Sequence, residues 1–195
     1  MMKLVLGTIM AAVLVSGAWA QAPSGSKIHN RKENQQDRIA NGVASGQLTA
    51  GETAKLEDQE SKLNKEIHVD RAANGGNLTN KEKQQINHQQ NVLSKEIYND
   101  KHNSTARHYG NNEVDKRREN QQDRIASGIG SGQLTAGEAA KLESQESKIN
   151  KELHAERKAN GGSLTNQQKA QVNRQLNRES GRIYNQKHNT ARGPH

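Results

Sequence analysis

Along this 195-residue chain, apolar residues first form one continuous run and then thin to isolated positions at regular spacing. The run covers residues 4–15. Further on, Leu56, Leu63 and Ile67 are separated by seven and four residues, and so are Ile86, Leu93 and Ile97. That spacing lays a narrow apolar stripe along one face of a helix. The pattern predicts helices over about 28–41, 50–73 and 80–102. It recurs 86 residues later, predicting three more over about 114–127, 136–159 and 166–188.

The recurrence is a duplication. Pairing residues 31–103 with residues 117–189 gives 50 identities in 73 pairs. Runs such as Glu33–Ala40 and Glu119–Ala126 match throughout. A weaker period of 30 residues lies inside each copy, aligning Ser45–Glu52 with Gly75–Glu82, and Ser131–Glu138 with Gly161–Gln168. Each of these four segments carries a Thr followed three residues later by Glu or Gln. That is a capping box: the hydroxyl takes an orphan N–H of the first helical turn and the acid or amide reaches back. The glycines just before it suit the left-handed turn that ends the previous helix.

Residue sums test whether the second and third helices fold back on each other. Leu56 with Ile97 and Ile67 with Ile86 both sum to 153, while Leu142 with Ile183, Ile149 with Leu176 and Leu153 with Val172 all sum to 325. The two constants differ by twice the repeat offset, so both copies predict the same antiparallel hairpin. The first helix of each copy is expected to pack on it through Ile39 or Ile125. Leu176 stands where the first copy has Gln90, and Glu179 where it has Leu93.

The expected fold class is all-α: two tandem copies of a small three-helix unit, a helical hairpin plus one leading helix, after a cleaved signal peptide. Residues 1–20 read as that signal, with Lys3, the apolar run and a small-x-small ending at Ala20. The run is shorter than the roughly 20 residues a membrane-spanning helix needs. An N-terminal extension (21–30), the first repeat (31–103), an Asn-rich linker (104–116), the second repeat (117–189) and a tail (190–195) follow. The mature chain is thus expected in the periplasm or outside the cell, with no membrane span.

Composition narrows the chemistry. Cysteine is absent, which removes disulfides, thiolate metal sites and thiol nucleophiles. Phenylalanine is absent too, and the mature aromatics are Tyr98, Tyr109 and Tyr184. So little apolar area implies a small core or stabilisation by self-association.

The capping segments also resemble the second half of an EF-hand loop, with Gly46, Leu48, Thr49 and Glu52 in the order Gly, apolar, Thr, Glu. Metal binding by these loops is an alternative function. Against it, the earlier ligand positions fall on Asn41, Val43 and Ser45, and then on Arg71, Ala73 and Gly75, none of them acidic. Calcium takes roughly six to eight oxygens, several of them charged. None of the eight histidines has another three or four residues away on a helix, so no metal site and no cofactor is expected. Serines lack a nucleophile elbow, and carboxylates such as Asp58 have basic neighbours at helical spacing, here Lys62. Those carboxylates read as a solvated face, and no catalytic residue or enzymatic activity is expected.

Charge separates the copies. The first holds 11 basic and 11 acidic residues, the second 13 and 8. Arg174, Arg178 and Arg182 follow one another at four-residue intervals where the first copy has His88, Val92 and Glu96. Such a stripe suits a polyanion, and the partner expected is an envelope polyanion or another protein. No aromatic interleaves with the arginines for base stacking.

The segments RIANGVASGQLTAGE, RAANGGNLTNKEK and IYNDKHN, with RIASGIGSGQLTAGE, RKANGGSLTNQQK and IYNQKHN, resemble a group of uncharacterised exported bacterial proteins with tandem helical repeats. The resemblance implies export and a helical repeat architecture and brings no activity with it. A non-enzymatic protein acting by interaction is therefore the expected function.

Overall fold

The computed structural model describes residues 24–194, with side chains from residue 27 onwards. The expected signal segment lies outside the described residues. Among these residues six helices form and no strand: α1 (Ser24–Ala44), α2 (Ala50–Ala73), α3 (Asn80–Lys101), α4 (Glu113–Gly130), α5 (Ala136–Ala159) and α6 (Asn166–Lys187). None of them is long and apolar enough to cross a membrane.

Local chemistry sets the helix ends. Thr49, Thr79, Thr135 and Thr165 open α2, α3, α5 and α6, each in a complete capping box with Glu52, Glu82, Glu138 or Gln168. At the far end of α2 the chain reverses through Gly75 and Gly76, whose φ of +62° and +91° are open to glycine without strain. Gly76 N–H then donates to the Arg71 carbonyl at 2.7 Å, and Gly162 to Arg157 at the same distance after α5. This pairing closes a helix in a Schellman turn.

Two helices run a little longer than the sequence pattern predicts and cross into the neighbouring segments. α1 reaches back into the segment read as an extension, because Ile28 is buried against Leu63, Ile67, Leu78 and Ile86. α4 runs over Glu113–Gly130 against the expected 114–127, so its first turn lies within the segment 104–116. Asn112 caps it, accepting from Asp115 N–H at 3.1 Å. The rest of the linker is pinned rather than loose. Arg107 N–H donates to Gly46 O at 2.8 Å, its guanidinium reaches the Val43 carbonyl and Gln122, and the guanidinium carbons of Arg107 and Arg118 lie 5.4 and 5.1 Å from the centre of the Tyr109 ring.

α2 packs on α5 and α1 on α4, while α3 lies against α1 and α2, and α6 against α4 and α5. The central contacts therefore join the two sequence repeats. One apolar cluster spans both, bringing Ile39, Val43, Leu48, Leu56 and Ile97 together with Ile125, Ile129, Leu134, Leu142 and Ile183. Each hairpin keeps a smaller outer cluster, and in the second repeat Ile149, Leu153, Val172 and Leu176 share one with Val114. Facing residues inferred from the sums thus fall in common clusters.

The contacts between repeats are reciprocal. A Cβ built on Gly51 would lie 3.3 Å from the Ser147 hydroxyl, and one on Gly137 would lie 3.0 Å from the Ser61 hydroxyl. Residues 51 and 137, like 61 and 147, are one repeat offset apart, so each half offers the other the same face.

Candidate functional site

α5 and α6 carry the basic stripe. Arg174, Arg178 and Arg182 are all exposed on α6, and Lys141 and Lys148 are exposed on α5. Arg182 is tied down, its guanidinium 3.1 Å from the buried Glu179 carboxylate. Lys141, Lys148, Arg174 and Arg178 have no ion pair among the described residues.

The first repeat shows what was lost. There Lys55 pairs with Glu96 at 3.2 Å and Lys62 with Asp58 at 2.6 Å. The corresponding residues in the second repeat are Arg182 and Ser144, so both lysines lose their acid. In the first repeat the groove between the hairpin helices is small and apolar-floored, about 260 Å³, lined by Leu63, Val92 and Leu93 among others. Its counterpart positions in the second repeat include Arg178 and Glu179. Glu152 on α5 has both its oxygens engaged, accepting from Gln171 and Gln175 at 2.8 Å.

A second concentration of charge lies inside. The expectation of a solvated acidic face holds for Asp58, which is exposed, but it is overturned for Glu57, Glu60, Glu143, Glu146 and Glu179. These five side chains are at most 1% exposed. Helix α2 is buried over more of its circumference than the Leu56–Leu63–Ile67 stripe, because α5 covers the Glu57 and Glu60 side as well. Gln36 donates to Glu57 at 3.1 Å, and Gln122 to Glu143 at 2.9 Å. Neither carboxyl oxygen of Glu60 has a hydrogen-bond partner among the described residues.

Burial pushes all five carboxyls up. Glu60 and Glu143 reach about 7 and Glu146 about 8. Burial dominates for Glu57, which lies well above its ordinary value; the Gln36 hydrogen bond opposes this, and Glu60 and Glu143 add to it. For Glu146 the charges of Glu143 and Glu179 reinforce burial, and Arg118 and Arg107 oppose it. Burial likewise raises Glu179, against the bond and charge of Arg182. For Glu57 and Glu143 the sequence signal was the Gln–x20–Glu spacing repeated in both copies, and for Glu179 it was its place at the apolar position of Leu93.

The residues matching the EF-hand pattern are engaged elsewhere. One Glu52 oxygen accepts from the Thr49 N–H and hydroxyl, and the other from Asn103 and Thr105. Among the described residues, no group of three or more histidine, cysteine, aspartate or glutamate side chains is arranged to hold a metal ion. His102 and His188 stack on Tyr98 and Tyr184, with Nδ1 2.7 Å from the tyrosine carbonyl in each case.

No protein-family model, no curated protein and no solved structure matches the chain.

Proposed function

We propose that this is an exported, non-enzymatic interaction protein, built by duplication of one three-helix unit, that engages an acidic polymer of the cell envelope through its α5–α6 face. The observation that carries the reading is the loss of acids around conserved positions of the repeat. Lys141 and Lys148 occupy the positions of Lys55 and Lys62, yet the residues that neutralise those lysines have become Arg182 and Ser144. Arg174 and Arg178 add two further exposed cations. A folded protein gains nothing internally from clustering like charges on one exposed face, whereas a polyanion gains electrostatic attraction there and releases counterions.

The three arginines rise one turn at a time, so they span about 12 Å along α6. This length suits several successive charges of a polymer better than a single small anion. The test is binding of the full chain to purified lipopolysaccharide, with single-stranded DNA and poly-glutamate as parallel probes. The affinity should fall steeply with salt, and Arg174→Gln with Arg178→Gln should weaken it and flatten the salt dependence. Binding that is insensitive to both substitutions would remove the reading. A preference for DNA over the envelope polymer would redirect it.

A further inference from the structure

The duplication allows one half of the molecule to be read against the other at a second, unrelated place. In the second repeat, Asp115 at the start of α4 is 4% exposed and lies between two arginines. Arg157 Nη2 donates to its two oxygens at 2.9 and 3.0 Å, and Arg118 Nη1 approaches at 3.2 Å. Burial alone would raise the Asp115 carboxyl, but the bond and charge of Arg157, with Asn112 and Arg118, outweigh it and hold it low. An ionised carboxylate thus fills a cationic cradle made by α4 and the last turns of α5.

The first repeat has the cradle without the carboxylate. Lys32 stands for Arg118 and Arg71 for Arg157, but the position of Asp115 is His29. His29 is exposed and turned along its own helix, 3.2 Å from Glu33. Neither Lys32 nor Arg71 has an ion pair or side-chain hydrogen bond among the described residues. Both line a groove of about 410 Å³ between α1 and α2, together with Asn64, Ile67, His68 and Gly76. The matching groove of the second repeat, about 600 Å³ and lined by Arg118, Asn150, Leu153, His154, Arg157 and Gly162, is open too, but there Asp115 already neutralises the two arginines. The charge of Glu60 acts on Lys32, but the two make no ion pair. Glu146 acts on Arg118 in the same way, so this buried acid is common to both repeats and does not distinguish them.

We propose that the Lys32–Arg71 groove binds a carboxylate from outside the chain, which neutralises Lys32 and Arg71 as Asp115 neutralises Arg118 and Arg157 in the second repeat. Arg71 supplies the planar fork that grips two oxygens, and Lys32 supplies the second charge. The groove is larger than a carboxylate, and Ile67 on its floor favours an aliphatic body behind the charged group. A free short-chain acid and a peptide C-terminus present that same chemistry.

The test uses the full chain, with butyrate and an acetylated Ala-Ala dipeptide bearing a free C-terminus as probes. Titrations are followed by calorimetry and by the ring resonances of His68. Saturable binding of one equivalent per chain is expected, and whichever probe binds more tightly identifies the source. Arg71→Gln should weaken it by about tenfold or more, in line with the loss of a charged hydrogen bond. His29→Asp should abolish it by supplying the carboxylate internally. Asp115→His, with Asp115→Asn as a second variant should the first fail to fold, should raise the stoichiometry from one to two. Arg174→Gln and Arg178→Gln, which test the polymer-binding face, should leave it unchanged. Absence of saturable binding by either probe, or binding that survives both Arg71→Gln and His29→Asp, would overturn the proposal.

Discussion

The Gln122 side-chain amide donates to the Glu143 carboxyl at 2.9 Å, in a part of the α4–α5 contact from which water is excluded. That is the only hydrogen bond Glu143 receives among the described residues, and its second oxygen is left unpartnered. Gln36 and Glu57 repeat the arrangement. One donor is too little to hold a buried carboxylate ionised, and a neutral acid is the form this environment favours.

Stability should therefore fall as the solution becomes alkaline. Glu60, Glu143 and Glu146 titrate at about 7, 7 and 8 when folded, against an ordinary glutamate near 4.3. Between those limits the folded chain binds more protons than the unfolded one, so the stability each acid contributes is lost as pH rises through its window. Lys32, Arg107, Arg118 and Arg182 face these acids and moderate the loss. Asp115 and Glu52, held low by their partners, are already ionised throughout. The urea midpoint should drop from pH 5.5 to pH 7 and again to pH 8.5; a level or rising midpoint would contradict buried neutral carboxyls.

Glu146→Gln carries the same point to a single site. The amide matches the neutral acid in shape and has no charge to bury. It should stabilise the protein at pH 8.5 by roughly 2–3 kcal/mol more than at pH 5.5, and the gain should disappear only toward pH 4, where the unfolded glutamate is neutral as well. A gain that is equal at both pH values would mean that packing, not ionisation, sets the difference.

Leu142→Ala probes the core shared by the two repeats. Leu142 is 3% exposed and belongs to the cluster that also contains Ile39 and Leu56. Its loss should cost about 3 kcal/mol. Because the cluster crosses between repeats, unfolding should remain one transition by both circular dichroism and calorimetry. Two separated transitions would show that the halves melt independently.

Two glycines make opposite predictions. A Cβ on Gly128 would sit 2.7 Å from two Leu134 side-chain carbons, and Leu134 is fully buried. Gly128→Ala should destabilise by about 1–3 kcal/mol through overpacking. A Cβ on Gly181, inside α6, meets nothing within 4 Å. Gly181→Ala should stabilise by roughly 0.5–1 kcal/mol, through helix propensity and a less flexible unfolded chain. Thermal melts of the two variants should shift in opposite directions.

The local parts of this fold were open to sequence reading because they are written in short-range chemistry. Thr49 with Glu52 and Thr135 with Glu138 mark where α2 and α5 begin, and Gly75 and Gly161 follow closely where they end. The hairpin register was legible because leucines and isoleucines recur at one face. What lay hidden depends on residues distant in sequence. Glu57 and Glu60 share the polarity of any solvated face, and only the arrival of α5 turns that face inward. The Asp115–Arg157 pair joins positions 42 residues apart with no periodicity to announce it. Ile28 opens the first predicted helix, but the partners it is buried against, on α2 and α3, could not be named from the sequence. The basic stripe could be read as a stripe, whereas the fact that Arg182 is neutralised and Arg178 is not required the geometry of Glu179.

Reciprocal contacts such as Gly51 with Ser147 and Gly137 with Ser61 are those of a two-fold symmetric pair of identical chains. In such a pair any substitution appears twice, once on each side of the axis. Joining both halves in one chain lifts that constraint. Leu93 can stay while its counterpart becomes Glu179, and His29 can stay while its counterpart becomes Asp115. Tethering thus gives this molecule the freedom to be lopsided: one half can drift toward carrying charge while the other preserves the shape against which it folds.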